Sequence, residues 1–246
     1  MSLAVGIDIG GTGIKGAVVD TENGELQSER FKLETPRGGK PDDIANVVGE
    51  VYSELNQPGP VGICLPSVVK DGISKSAANI SKEWIEFQAK DKFEQHLQTP
   101  VVVVNDADAA GLAEVRFGAG RNKPGLIIMT TLGTGIGSAM FIDGRLVPNT
   151  ELGHLEVRGK EAEKRAAAQV RKNDHLSWPK WAARVSEVLD TFENLLWPDL
   201  FIIGGGVSRK ADKFMPLLKC RTRVVTAALG NDAGIVGAAL AAWDEP

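Results

Sequence analysis

The quartet Gly-Thr-Gly-Ile occurs twice in this chain, at Gly11-Thr12-Gly13-Ile14 and at Gly133-Thr134-Gly135-Ile136, half a chain apart in a protein of 246 residues. Each copy follows an apolar run (Ala4 to Ile9; Leu126 to Met129) and precedes another that ends in Asp20 or Asp143. Each therefore reads as strand, glycine loop, strand. A glycine-rich hairpin tip exposes successive backbone N–H groups and lets a ligand come close to the main chain, which suits a phosphate chain. The first loop offers Gly10, Gly11, Thr12, Gly13 and Lys15 for this task, the second Gly133, Thr134 and Gly135, and Asp8 can hold Mg²⁺ through water. Two such loops facing each other would grip one polyanion from both sides. On these residues alone, hairpins with no further role stay an open alternative.

Gly11, Gly13 and Gly16 also satisfy the spacing of a dinucleotide fingerprint. That fingerprint needs a helix after its glycines, and Ala17-Val18-Val19-Asp20 is strand-like, so the context refuses it. A third glycine run, Gly204-Gly205-Gly206, follows the apolar Leu200–Ile203 and is read as opening a helix near 207–215. A helix N-terminus with bare backbone favours a nucleotide or another phosphate. Beyond it lie Arg209, Lys210, Lys213, Lys219, Arg221 and Arg223 against only Asp212, in a chain whose net charge is −4. A second group, Arg158, Lys160, Lys164, Arg165, Arg171 and Lys172, is partly offset by Glu156, Glu161 and Glu163. Such tracks attract a linear polyanion through charge-assisted hydrogen bonds, although a solvated charged face is the plainer account of most charge runs.

Glu151 and His154 stand three apart across a glycine, a spacing that lets a carboxylate and an imidazole converge on one ligand. Asn105 and Asp106 sit where the run Val101–Val104 meets a helix. There Asp suits a helix N-cap, and Asn supplies both a donor and an acceptor.

These residues need a scaffold of alternating strands and helices. Strands are expected at 3–9, 13–20, 26–34, 61–65, 101–104, 126–131, 135–142, 145–148, 200–203 and 222–226. Helices are expected at 41–55, 91–97, 106–117, 161–173, 180–196, 207–215 and 232–242. The pattern runs twice, which implies two α/β domains of common design: residues 1–108, with 232–246 packing back on them, and residues 109–231. The apolar positions of 177–197, among them Trp178, Trp181, Leu189, Phe192 and Leu196, serve either as core or as a dimer surface.

With 43% hydrophobic residues the chain can bury a substantial core. Its acidic balance argues against nucleic acid as the main partner. No apolar run approaches the ~18 residues that span a bilayer, and the first strand leaves no room for a signal peptide, so a cytoplasmic location is expected. Cys64 and Cys220 lack the spacing of a disulfide framework or a metal site, and two free thiols are expected.

The order Asp8-Ile-Gly-Gly-Thr-Gly-Ile-Lys15, Asn105-Asp106-Ala-Asp-Ala-Ala110, Leu132-Gly-Thr-Gly-Ile-Gly137, Glu151-Leu-Gly-His154 and Gly204-Gly205-Gly206 resembles the ROK family of sugar kinases and repressors. The resemblance covers nearly the whole chain. It implies the actin-like ATPase fold, with two ribonuclease-H-like domains around a cleft. It further implies Asp106 as general base for a sugar 6-hydroxyl, a sugar shell of Asn79, Asn105, Asp106, Glu151, His154 and Glu163, and a homodimer. Gly204, Gly205, Gly206, Arg209, Lys210 and Lys213 become the nucleotide or polyphosphate site. Family members typically carry a cysteine-rich zinc loop after Glu-x-Gly-His, but no cysteine stands between Cys64 and Cys220, so no zinc is expected. Pro66-Ser67, where the family more often has Pro-Gly, leaves the sugar-loop details less defined. The residues after His154, together with Leu176-Ser-Trp178, Leu196-Trp-Pro-Asp-Leu200 and Val207–Lys213, look like the family's polyphosphate-using glucokinase branch. The implied activity is phosphorylation of D-glucose by polyphosphate, and by ATP as well, with Mg²⁺. An ATP-dependent kinase of mannose or fructose, and a non-catalytic sugar sensor, are the alternatives; the family's repressors carry an N-terminal helix-turn-helix that has no room before Asp8.

Overall fold

The computed structural model describes residues 2–77 and 80–244. The chain divides into two compact units, Met1–Ala113 with Asp232–Pro246, and Glu114–Asn231.

The first unit is built on a five-stranded sheet. Strands β1 (Leu3–Gly10) and β2 (Gly13–Asp20) form the hairpin that carries the first glycine loop, and β3 (Phe31–Leu33) extends it. Helix α1 (Pro41–Leu55) leads to β4 (Val61–Leu65). Three two-residue strands, β5 (Val69–Lys70), β6 (Ile73–Ser74) and β7 (Phe87–Gln88), form a small separate sheet. Helix α2 (Ala89–Leu97), strand β8 (Val101–Asn105) and helix α3 (Asp106–Arg116) follow. The main sheet runs β3-β2-β1-β4-β8, antiparallel among the first three and parallel from β1 onward.

Its core is what the sequence pattern requires. Pro41 fixes the backbone at the start of α1, where its missing N–H costs nothing, and Ile44, Ala45, Val48 and Val51 recur at helical spacing to form the buried face. Trp84 and Phe93 are fully buried, and the indole of Trp84 donates to the Gly39 carbonyl at 2.8 Å, which satisfies its one polar group. The expected strand over 26–34 shrinks to β3 and a single bridge from Leu26 to Val19, because polar Ser28-Glu29-Arg30 offers nothing to bury.

The second unit repeats the plan. Strands β9 (Leu126–Leu132) and β10 (Ile136–Ile142) carry the second glycine loop, with β11 (Arg145–Val147) alongside. A short hairpin, β12 (Glu156–Val157) and β13 (Lys160–Glu161), turns through Arg158 and Gly159. Helices α4 (Ala162–Ala166), α5 (Ala168–Asn173) and α6 (Trp178–Leu196) precede β14 (Leu200–Gly204) and β15 (Arg223–Thr226). The sheet order is β11-β10-β9-β14-β15, with the same antiparallel and parallel pairings as the first. The final helix, α7 (Ala233–Asp244), belongs to the first unit.

Helix α6 buries Trp181, Val185, Val188, Leu189 and Phe192 against Phe201 and Phe214, so these positions are core. Each large side chain of this kind contributes about 2 kcal/mol by leaving water. Leu195 and Trp197, at 62% and 70% exposure, lie outside that core.

Two buried carboxylates fasten the ends of β15. Glu193, 2% exposed, accepts from the N–H groups of Arg221 and Thr222, the Arg221 Nε and the Cys220 thiol. Glu114, fully buried at the end of α3, accepts from the N–H groups of Ala119, Ala228 and Leu229.

The segment after the third glycine run departs from expectation. Residues Gly206–Lys213 form a 3₁₀ helix interrupted at Lys210, followed by a 3₁₀ turn at Met215–Leu217. None of Gly206–Lys213 is buried, so no apolar stripe drives an α-helix there, and Pro216 blocks continuation.

Candidate active site

In the first unit, Asp8 lies near the end of β1, two residues before Gly10 closes the strand. Its carboxylate meets Lys15 Nζ at 2.9 Å across the hairpin and the Cys64 thiol at 3.4 Å. The first turn of α7 comes so close that a Cβ on Gly234 would lie 2.8 Å from Asp8 Oδ2. At the tip of the loop, a Cβ on Gly11 would meet nothing within 4 Å, so the main chain there is open to a ligand.

Asn105 and Asp106 occupy the junction of β8 and α3. The helix cap is Asn105: its Oδ1 accepts from the N–H groups of Ala107 and Asp108 at 2.9 and 3.0 Å. Its Nδ2 donates to the Ser67 carbonyl at 3.0 Å. One amide hydrogen is left to reach a ligand, so Asn105 is chiefly a structural residue that sets the start of α3. The cap bonds expected from an Asp at this junction thus come from its neighbour, and Asp106 begins the helix half-buried. Asn79 lies outside the described residues.

The chemistry of this donor set suits Mg²⁺. Asp8 and Asp106 are hard oxygen ligands, and both raise the pKa of the buried Cys64 electrostatically, which puts them in one neighbourhood. Lys15 and Cys64 already engage both oxygens of Asp8, which favours contact with a metal through water.

In the second unit, the loop at Gly133–Gly135 is again open: a Cβ on Gly133 would meet nothing within 4 Å, and the Gly133 carbonyl accepts from Gln169 N–H at 3.0 Å. The third glycine run is packed onto it. Gly205, at φ 80°, passes so near β9 that a Cβ would lie 2.6 Å from the Leu132 carbonyl oxygen, so only glycine fits.

Glu151 and His154 are brought together as their spacing proposes, and Glu163, implied by the resemblance alone, stands beside them. His154 Nε2 lies 3.3 Å from Glu151 Oε2. Burial pushes the Glu151 carboxyl up, His154 opposes that shift, and the nearby charge of Glu163 adds to it. Sequence reasoning did not single out Glu161, which the β12–β13 hairpin folds back so that it faces His154 Nδ1 at 3.8 Å. His154, Glu161 and Glu163 bring potential ligand atoms within 4.8 Å of one another, a set that can bind hydroxyls or a divalent cation. The ammonium of Lys164 lies 2.8 Å from Glu161 and holds its carboxyl below the usual range. An open groove of about 570 Å³ runs beside this group, lined by His154, Glu156, Gly159, Lys160, Glu161 and Lys164.

The two basic groups differ in kind. Arg158 and Arg165 both pair with Glu187, Lys164 pairs with Glu161, and Arg171 stacks on Trp178. That group is largely spent on structure. In the segment 207–223, Arg221 pairs with Glu193 and stacks on Trp197, whereas Arg209, Lys210, Lys213, Lys219 and Arg223 are exposed with no carboxylate within ion-pair distance among the described residues.

The duplicated sheet with its paired glycine hairpins is the actin-like ATPase fold, and residues 4–169 match the model of the ROK family. The chain belongs to the ROK family, on its kinase side. It is 54% identical to a polyphosphate glucokinase of Mycobacterium tuberculosis over 96% of this chain and 89% of the relative. The crystal structure of an inorganic polyphosphate/ATP-glucomannokinase from Arthrobacter sp. strain KM superposes with a TM-score of 0.94 at 46% identity, covering 97% of each chain. A ROK family glucokinase from Streptomyces griseus, solved with glucose and AMPPNP, gives a TM-score of 0.83 at 28% identity over 96% of this chain and 98% of that one. Among the described residues, no helix is long and apolar enough to cross a membrane.

Proposed function

We propose that this protein phosphorylates D-glucose at its 6-hydroxyl, with inorganic polyphosphate and ATP as donors. The observation that carries the donor reading is the contrast between the two basic groups: among the described residues, Arg209, Lys210, Lys213, Lys219 and Arg223 have no carboxylate within ion-pair distance, as suits a polyanion track. The activities of the relatives support the same donor. Asp106 is the general base that accepts the 6-hydroxyl proton, and Glu151, His154 and Glu163 hold the other hydroxyls through donors and acceptors suited to a sugar. The glycine hairpins serve the donor phosphates with backbone N–H groups, and most of the rate comes from positioning and charge stabilisation. Mg²⁺, held by Asp8 through water, would neutralise phosphate oxygens as charge shifts.

Mannose is a second acceptor on this reading, favoured by the glucomannokinase likeness. The protein is read as a cytoplasmic homodimer, with Leu195 and Trp197 as exposed apolar residues available to a second copy. The test is a panel of donors and sugars on purified protein. Hexose 6-phosphate formed from both long-chain polyphosphate and ATP supports the proposal, and absence of product with polyphosphate alongside brisk ATP turnover removes its donor half. Replacing Arg209, Lys210 and Lys213 together by Gln is expected to raise the KM for polyphosphate about tenfold or more while leaving that for glucose unchanged.

A further inference from the structure

Asp8, Lys15 and Lys32 are register partners across β1, β2 and β3, so they form a row on one face of the first sheet. The row reads negative, positive, positive. Lys15 is neutralised by Asp8 at 2.9 Å. Lys32 stands directly opposite Lys15, a like-charge pairing that destabilises a sheet unless an anion sits nearby. Among the described residues no carboxylate lies within ion-pair distance of its exposed ammonium. Its side chain instead folds over the first glycine hairpin. A Cβ on Gly13 would overlap Lys32 Cε and lie 3.1 Å from its Nζ, so the bare backbone of Gly13 makes the space in which this lysine rests. The chain just beyond β3 is tied to the same loop, since the Thr35 hydroxyl donates to the Gly10 carbonyl.

We propose that Lys32 is an anion-binding residue of the first glycine loop and donates its ammonium hydrogens to a phosphate oxygen of the phosphoanhydride donor. The inference rests on the donor reading above for the identity of the anion; the lysine and the loop by themselves define a phosphate. The site then combines directional backbone N–H groups at Gly11–Gly13 with one mobile point charge, the usual division of labour in phosphate binding. A flexible ammonium can follow a phosphate that changes position, which the fixed hairpin cannot.

The experiment compares Lys32→Gln and Lys32→Arg with Lys123→Gln, an exposed lysine in the loop before β9 that gives the same change in net charge. Calorimetric binding of tripolyphosphate, which requires no turnover, is the first readout; KM values for donor and sugar are the second; thermal stability is the third. Lys32→Gln is expected to weaken tripolyphosphate about tenfold, to make its affinity less sensitive to salt, and to raise donor KM without altering glucose KM. Relief of the repulsion with Lys15 should leave its melting temperature equal to or above wild type. Lys32→Arg should restore affinity, and Lys123→Gln should match wild type. Unchanged tripolyphosphate affinity in Lys32→Gln, or an equal loss in Lys123→Gln, overturns the proposal, as does a wild-type protein that does not bind tripolyphosphate. A wild-type protein that binds tripolyphosphate yet phosphorylates no hexose defeats the kinase reading and leaves the comparison of variants decisive for Lys32.

Discussion

The thiol of Cys64 lies 3.4 Å from Oδ1 of Asp8, with the Gly234 carbonyl 3.7 Å away on the other side. It is fully buried, and burial together with the charges of Asp8 and Asp106 pushes its pKa well above 9.0. Cys64 is therefore favoured as a protonated thiol that donates to Asp8. Cys220 is pushed up to about 12 by burial and by Glu193. Because the thiolate is the reactive form, neither cysteine should react with an aromatic disulfide reagent at pH 8 in the folded protein, and both should react once it is denatured. Rapid labelling of Cys64 in the native state would mean that the floor beneath Asp8 is open to solvent.

Helix α7 approaches β1 and α3 through glycines whose replacements should fail differently. A Cβ at Gly234 would press on Asp8 Oδ2, the end of a short side chain. Gly234→Ala is expected to fold and to lose most of its turnover. At Gly237 the added carbon would overlap the backbone carbonyl of Ala109, which cannot yield without moving a helix. Gly237→Ala should cost about 3 kcal/mol or more of stability. Thermal melts and kcat on both variants check the contrast, and equal behaviour would contradict it.

Asp106→Asn removes the proposed base while keeping the size of the side chain. Turnover should fall about 10²–10⁴-fold, with glucose affinity retained within a few fold. Near-wild-type kcat would show that the proton goes elsewhere.

Glu193 gives stability a pH dependence. Burial by itself would raise its carboxyl, but the hydrogen bonds from Thr222, Arg221 and Cys220 outweigh that and lower it from 4.5 to about 2. A group depressed in the folded state stabilises above its unfolded pKa, and that contribution is lost as pH falls from about 4.5 through about 2. The shift corresponds to something on the order of 3 kcal/mol. Denaturant titrations should show wild-type protein losing more stability than Glu193→Gln over that window. Parallel acid profiles for the two proteins would refute it.

Much of the fold was legible because local chemistry and global plan agree. Pro41 and the spacing of Ile44, Val48 and Val51 define α1, and the repeated glycine quartet marks the two matching sheets. The small sheet of β5, β6 and β7 was not legible, since two-residue strands carry no period. The helix expected after Gly206 failed for the opposite reason: a glycine run and basic residues resemble a helix start, but no apolar face follows to hold one. At the site, Glu151 and His154 could be paired from spacing, whereas Glu161 reaches His154 only because Arg158 and Gly159 turn the chain back. Glu114 and Glu193 look like ordinary solvent-facing acids on helices. Their burial depends on loops far along the chain, which no local pattern reports.

Strand β15 is the outer member of its sheet, four residues long, pinned beyond both ends by Glu193 and Glu114 and carrying exposed Arg223. An unpaired rim of this sort is where foreign chains zip on and aggregates begin. Here the rim is only four residues long and opens on a charged arginine, two features that discourage such pairing. The fastening that keeps its flanking loops in place therefore also guards the molecule against polymerising through its own sheet.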